Sequence, residues 1–265
     1  MRHFPMIQSK IKLVLILATG FILSSFGMIQ TASNIADPSP LVNSRQIIIV
    51  VTNSWGDVTG ELRYFERPLL GDDWKIAVPK TAIVLGRTGL AWGNGLHGSE
   101  LGDGPIKHEG DGKSPAGVFN ISAVFGYSPI DSTPVFKMPY VQLNENTQCV
   151  DDINSMYYNL IIDSAKVKKA DWNSCEHMRR KDVLYKWGAV IDHNVMPRKT
   201  AGGSCIFLHI WGGPEEATSG CTSFDESHLL ALLQWLDKSK NPVLLQLPKP
   251  VYNRLKEQWQ LPSLE

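Results

Sequence analysis

The stretch AGGSCIFLHIWGGPEEATSGCTSFDESHLLALLQWL, residues 201–236, carries the decision about the fold. Cys205–Trp211 is short and apolar and is closed by Gly212-Gly213-Pro214, which predicts a buried strand with His209 near its end. Ser223 and Glu226 have the S-x-x-E spacing of a capping box, so a helix is expected after Ser223. Leu229, Leu232, Leu233 and Leu236 then recur at helical spacing and give that helix one core face. On this reading Cys221 lies two residues ahead of an N-cap, where unpaired N–H groups and the helix dipole favour a thiolate. His209 lies twelve residues upstream, close enough for a short loop to fold the two side chains into a nucleophile–base pair. Gly220 removes a Cβ from the approach to Cys221, and the N–H groups of both residues are candidate oxyanion donors.

Each of these residues has an ordinary alternative. Free cysteine is often a small core residue, and a histidine at a strand end is often a buried, fully bonded one. What separates them here is the run from His209 to Thr218-Ser219-Gly220-Cys221. It resembles the signature of the L,D-transpeptidase (YkuD-type) catalytic domain, a strand histidine, a Gly-rich loop and a closing Ser/Thr-x-Gly-Cys. The resemblance covers roughly Gln46 to Pro248. It implies a mainly β fold with minor helices (α+β), a β-sandwich of the L,D-transpeptidase type. It also implies that Cys221 attacks a carbonyl of peptidoglycan stem peptides with His209 as base. The second ring nitrogen of His209 would then be held by a backbone carbonyl of the Ile210–Gly212 turn. An amine would resolve the thioester to a cross-link and water to a hydrolysed peptide; a peptidoglycan hydrolase or an inactive wall-binding relative is the alternative.

Two positions depart from that pattern. Ser219 stands where the family usually has His, and Ser223 where it usually has Arg. A cleft without that cation needs another, and Arg198 or Lys199 is the nearest in sequence. Trp211, Ser219 and His193 are the expected substrate-cleft residues, His193 because its strand should neighbour that of His209.

The 265 residues suffice for one large domain or two small ones. Lys+Arg and Asp+Glu balance at 26 each, which excludes a nucleic-acid footprint. Arg2, Lys10 and Lys12 precede the apolar run Leu13–Ile29, and small residues follow to Ala36. Residues 1–36 therefore read as a secretory signal peptide, 37–45 as a linker and 46–265 as the catalytic domain. The expected location is the periplasm or cell envelope, with membrane attachment only if the signal is retained. Four cysteines in an exported chain invite pairing, and Cys149 with either Cys175 or Cys205, or no bridge, are the possibilities if Cys221 stays free.

Further along the chain, Gln46–Val51 is a clear strand, Leu62–Phe65 a second, Trp74–Val78 a third and Pro79–Leu85 a fourth. Gly110-Asp111-Gly112-Lys113-Ser114-Pro115-Ala116-Gly117 lacks phosphate-loop spacing, and it resembles instead a G-D-x-K-T-P-x-G turn of the transpeptidase superfamily. Tyr127 and Met138-Pro139-Tyr140 are expected on one cleft wall. A helix-like segment is expected within Asp171–Lys186, a strand over Trp187–Asn194, a strand over Val243–Leu247 and a helix over Val251–Trp259. His97, His108 and His193, with Asp111 or Asp192, have no metal-ligand spacing, so neither metal nor cofactor is expected.

Overall fold

The computed structural model describes residues 39–98 and 102–264, together with Met1. The signal-peptide reading of residues 1–36 falls outside the described residues apart from Met1. Residues 39–45 are tied to the body: Leu41 is buried, and Arg67 donates to the carbonyls of Leu41 at 2.7 Å and Ser44 at 2.8 Å.

Among the described residues the strands are β1 (Gln46–Thr52), β2 (Thr59–Glu66), β3 (Lys75–Val84), β4 (Leu90–Trp92), β5 (Ser114–Gly126), β6 (Tyr140–Gln142) and β7 (Thr147–Val150). They continue as β8 (Ile161–Asp163), β9 (Cys175–His177), β10 (Trp187–Ile191), β11 (Phe207–Ile210), β12 (Thr222–Phe224) and β13 (Val243–Pro248). The helices are α1 (Glu226–Trp235) and α2 (Lys249–Trp259). The fold is thus mainly β, as expected.

Strand β1 is buried at every position, which its unbroken Ile/Val run demands. It lies between β2 (antiparallel) and β13 (parallel). The path β10-β11-β12-β3-β2-β1-β13-β5 returns to its start, because β5 also pairs with β10. Where an open sandwich has edges, these pairings close a ring around a core that includes Ile47, Ile49, Phe119 and Leu245. Helix α1 packs on β10 and β11 and buries Leu229, Leu232 and Leu233. Helix α2 packs on β13 and β1. A separate sheet, β8-β7-β9, carries one half of the disulfide Cys149–Cys205.

Several elements differ from the sequence expectation. The third and fourth strands are one, β3, in which Pro79 and Lys80 oppose the single residue Arg63 of β2, a bulge that accommodates the proline. The segment Asp171–Lys186 forms no helix. Carboxylates take up its backbone donors instead, the Asn173 N–H going to the distant Asp152 and the Leu184 N–H to the local Asp182. Strand β10 stops at Ile191 and the chain turns through Asn194 at φ 55°. Most consequential, the N-cap of α1 is Asp225, which accepts from the N–H groups of Ser227 and His228, and not Ser223. Ser223 is instead drawn into β12 by parallel pairing with β11, a long-range contact that overrides the local capping signal.

Candidate active site

Parallel register sets His209 opposite Ser223 and Leu208 opposite Thr222. Side chains alternate along strands, so His209 and Ser223 share a face with Phe207 and with Cys221, the residue before β12. Cys221, His209 and Ser223 line one cavity of about 490 Å³, together with Ser219 and Gly220.

Both side chains are oriented by backbone groups. The Nδ1–H of His209 donates to the Ile210 carbonyl at 2.7 Å, the orientation expected for a base, and this leaves the Nε2 lone pair as the basic site. The Cys221 Sγ accepts from the Phe207 N–H at 3.3 Å and donates to the Cys205 carbonyl at 3.5 Å. The thiol is therefore turned onto the Cys205–Phe207 backbone rather than onto the imidazole.

The loop bearing the cysteine is pinned at its main chain. The Cys221 carbonyl accepts from the Ser114 hydroxyl at 3.0 Å and the Thr218 hydroxyl at 2.6 Å. Ser114 belongs to the G-D-G-K-S-P-A-G stretch, whose turn is itself held by Asp111 accepting from the His108 and Lys113 N–H groups. Gly220 has φ +154°, which a side chain would strain. Its N–H donates to Thr218 Oγ1 at 3.1 Å, so this expected oxyanion donor is already engaged.

The electrostatics overturn the low-pKa expectation for the thiol. Burial pushes Cys221 up to about 12 and nearby Glu176 adds to the rise, outweighing the Phe207 N–H and the Tyr185 hydroxyl. No helix start follows Cys221 closely enough to compensate, since the cap lies at Asp225. Burial lowers His209 to about 4 against the opposing effect of the Ile210 carbonyl, so the ring is neutral at pH 7. The resting site is a neutral thiol beside a neutral imidazole.

Other expected cleft residues lie elsewhere. His193 is buried and fully bonded, accepting from the Asn94 N–H at 3.3 Å and donating to the Gly202 carbonyl at 3.0 Å. Trp211, Met138 and Tyr140 pack against the main core, and Tyr127 against a second apolar cluster; none of the four lines the cavity. Arg198 and Lys199 do not line it either; Arg87 does, and its guanidinium donates to the Ser219 hydroxyl at 3.3 Å. The pairing signals of the sequence missed Glu109, Asp151, Glu176 and Tyr185, which all line the cavity. Tyr185 packs edge-on against His209 with ring centroids 5.1 Å apart and donates to Glu176 at 2.8 Å. For Glu176 and Tyr185 the nearest hint in the sequence is the polar composition of the Asp171–Lys186 segment.

A cysteine and a correctly tautomerised histidine on one strand face, opening on a shared cavity, define a thiol-dependent acyl-transfer type of site. The family model described as the YkuD L,D-transpeptidase catalytic domain matches residues 62–245, which enclose every group named above, and the chain belongs to that family. Its members are generally cysteine-dependent L,D-transpeptidases acting on peptidoglycan peptides. No curated protein and no solved structure matches the chain.

Proposed function

We propose that this protein is an exported L,D-transpeptidase in which Cys221 is the nucleophile and His209 the base. The observation that carries the proposal is the His209 geometry: Nδ1–H fixed on the Ile210 carbonyl, and Nε2 open on the face and cavity that Cys221 shares. Substrate entry turns the thiol away from the Cys205 carbonyl, and Nε2 takes the Sγ proton as sulfur bonds to the stem-peptide carbonyl carbon. The C–N bond breaks, and the departing amine takes the proton from His209. An acceptor amine then gives its proton to Nε2 as it forms the new C–N bond, and Nε2 passes that proton to Sγ as the thioester C–S bond breaks. Because the thiol sits high, deprotonation accompanies attack rather than preceding it.

Export is part of the proposal. It is supported by the apolar run Leu13–Ile29 behind Arg2, Lys10 and Lys12, and by the Cys149–Cys205 disulfide, which belongs in an oxidising compartment.

The test is intact-mass measurement after incubation with a synthetic stem tetrapeptide. The expected result is an acyl adduct on the wild type, lost by addition of an amine, and none on Cys221→Ala. An adduct that survives Cys221→Ala would sink the assignment.

A further inference from the structure

Strand β13 is buried at every position, and its one polar side chain is Gln246, set between Leu245 and Leu247. A buried amide is costly unless its donor and acceptor ends are used. Both ends of Gln246 are engaged: Oε1 accepts from the Thr222 hydroxyl at 2.5 Å, and Nε2 donates to the Pro115 carbonyl at 2.9 Å. Thr222 follows Cys221, and Pro115 follows Ser114. Ser114 is itself wholly buried, and its hydroxyl donates to the Cys221 carbonyl at 3.0 Å while accepting from the Gly86 N–H at 2.9 Å.

Two buried side chains thus join Ser114-Pro115, where β5 begins, to Cys221-Thr222, where β12 begins. These strands do not pair with one another. Strands β10 and β11 lie between them on one side of the ring, and β3, β2, β1 and β13 on the other. The link that the sheet does not make is made by the Ser114 hydroxyl and by Gln246, reaching from β13.

Alternation turns the Thr222 side chain to the face opposite Cys221 and Ser223. Neither Ser114, Thr222 nor Gln246 lines the cavity, so contact with substrate does not account for them. Their bonds converge instead on the Cys221–Thr222 peptide unit. Its carbonyl oxygen is held by Ser114 and Thr218, and the side chain that follows it by Gln246. The thiol is held more loosely, at 3.3 Å from the Phe207 nitrogen and 3.5 Å from the Cys205 oxygen. Substrate can therefore turn Sγ about the Cα–Cβ bond while the main chain that carries it stays in place.

We propose that Ser114 and Gln246 are positioning residues for the nucleophile, a buried brace that fixes the Cys221 main chain while the thiol swings from the Cys205 carbonyl toward His209. The inference rests on the reading of Cys221 as the nucleophile. It gives a part in the reaction to the turn before β5 and to a buried glutamine, neither of which touches the reacting atoms.

The experiment uses the full chain and single-turnover acylation of Cys221 by a synthetic stem tetrapeptide, read by intact mass over a range of peptide concentration. Ser114→Ala and Gln246→Met each remove one part of the brace. Tyr252→Phe deletes another buried hydroxyl bond, 2.7 Å to the Pro262 carbonyl, and controls for lost stability alone. Both brace variants are expected to lose about tenfold to a hundredfold in rate at saturating peptide, the scale of a displacement of about 1 Å at the reacting atoms, with the half-saturating concentration unchanged. Ser114→Thr keeps the hydroxyl and should stay near the wild-type rate, as should Tyr252→Phe. Saturating rates in Ser114→Ala and Gln246→Met equal to that of Tyr252→Phe overturn the brace, and so does a Ser114→Thr no faster than Ser114→Ala. The two brace variants remove different bonds, so one decides the matter if the other fails to fold.

Iodoacetamide labelling separates this inference from the reading beneath it. A wild type that forms no acyl adduct at any peptide concentration would remove the proposed reaction and leave the brace to be read from the thiol itself. Loosening the Cys221 main chain frees the sulfur from its backbone contacts. Labelling of Cys221 should then be several-fold faster in both brace variants than in Tyr252→Phe, at a temperature well below the melting of each. Equal labelling would overturn the brace whatever the peptide does.

Discussion

His193 and His209 follow or occupy adjacent antiparallel strands, β10 and β11, and both are buried beside aromatic rings. Burial lowers both pKa values, to about 3 and about 4. They differ in what their ring nitrogens do. His193 uses both, one accepting from Asn94 and one donating to Gly202. His97 is likewise filled, between the Gly93 carbonyl and the Val118 N–H. His209 anchors one nitrogen on its neighbour's carbonyl and keeps the other open to the cavity. Depressed pKa therefore does not separate a framework histidine from a candidate base, whereas a spare lone pair facing a cavity does.

The sharpest way to break this comparison is to remove each ring in turn. His209→Gln is expected to cost on the order of 10²–10⁴ in turnover, with melting within a few degrees of wild type. His193→Ala is expected to do the opposite. It leaves two half-buried backbone groups without their partners and destabilises by about 2 kcal/mol, while a folded sample keeps turnover near wild type. Denaturant melts and steady-state rates on the same preparations check both, and parallel losses for the two variants would erase the distinction.

Alkylation compares the actual thiol with the activated one expected from the sequence. With Cys221 pushed up to about 12, iodoacetamide should label it more slowly than an unperturbed cysteine at pH 8, and about tenfold faster per added pH unit. Rapid labelling below pH 7 would indicate a thiolate–imidazolium pair instead.

The pH dependence of kcat/KM is the next test. A base at about 4 stays unprotonated through the neutral range, so activity should hold down to about pH 5 and halve near pH 4. An acid limb at the ordinary histidine value, about 6.5, would contradict the burial of the ring.

Stability against pH measures both rings together. Their folded pKa values lie below the unfolded value, so the unfolded chain binds protons first as pH falls. Stability is fully present above about pH 6.5 and is lost from there down to about pH 4 for His209 and about pH 3 for His193, at about 1.4 kcal/mol per unit for each ring. His193→Gln should remove about half of that slope in melts run from pH 7 to 4. The smallest effect is expected from Tyr185→Phe. It takes a donor from Glu176 without touching the His209 anchor, so rates should change only several-fold.

Much of the frame could be read from local pattern. The Ile/Val run of β1, the apolar approach to His209 and the Thr218–Cys221 closure each carry their structure in adjacent residues. The helix cap could not be read so directly. Ser223 and Asp225 are both good cap residues, Ser223 alone has a Glu three positions on, and only pairing to β11 removes it from contention. The acidic side of the cavity was hidden for a different reason. Glu109, Asp151 and Glu176 lie 42 and 25 residues apart and meet through the small sheet and the disulfide, neither of which leaves a periodic trace. Cys149 has both Cys175 and Cys205 as possible partners in the sequence, and spacing alone does not choose between them.

The Cys149–Cys205 bridge bears on the nucleophile as well. It closes a loop across 56 positions, worth about 4 kcal/mol in lost chain entropy, and so holds the small sheet against the start of β11. Without it, Cys205 would carry a free thiol on the same residue whose carbonyl accepts from the Cys221 Sγ–H. The bridge ties that residue to β7, whose Cys149 lies opposite Glu176 in register. With the bridge closed, the carbonyl that holds the Cys221 thiol belongs to a residue fixed covalently to the small sheet.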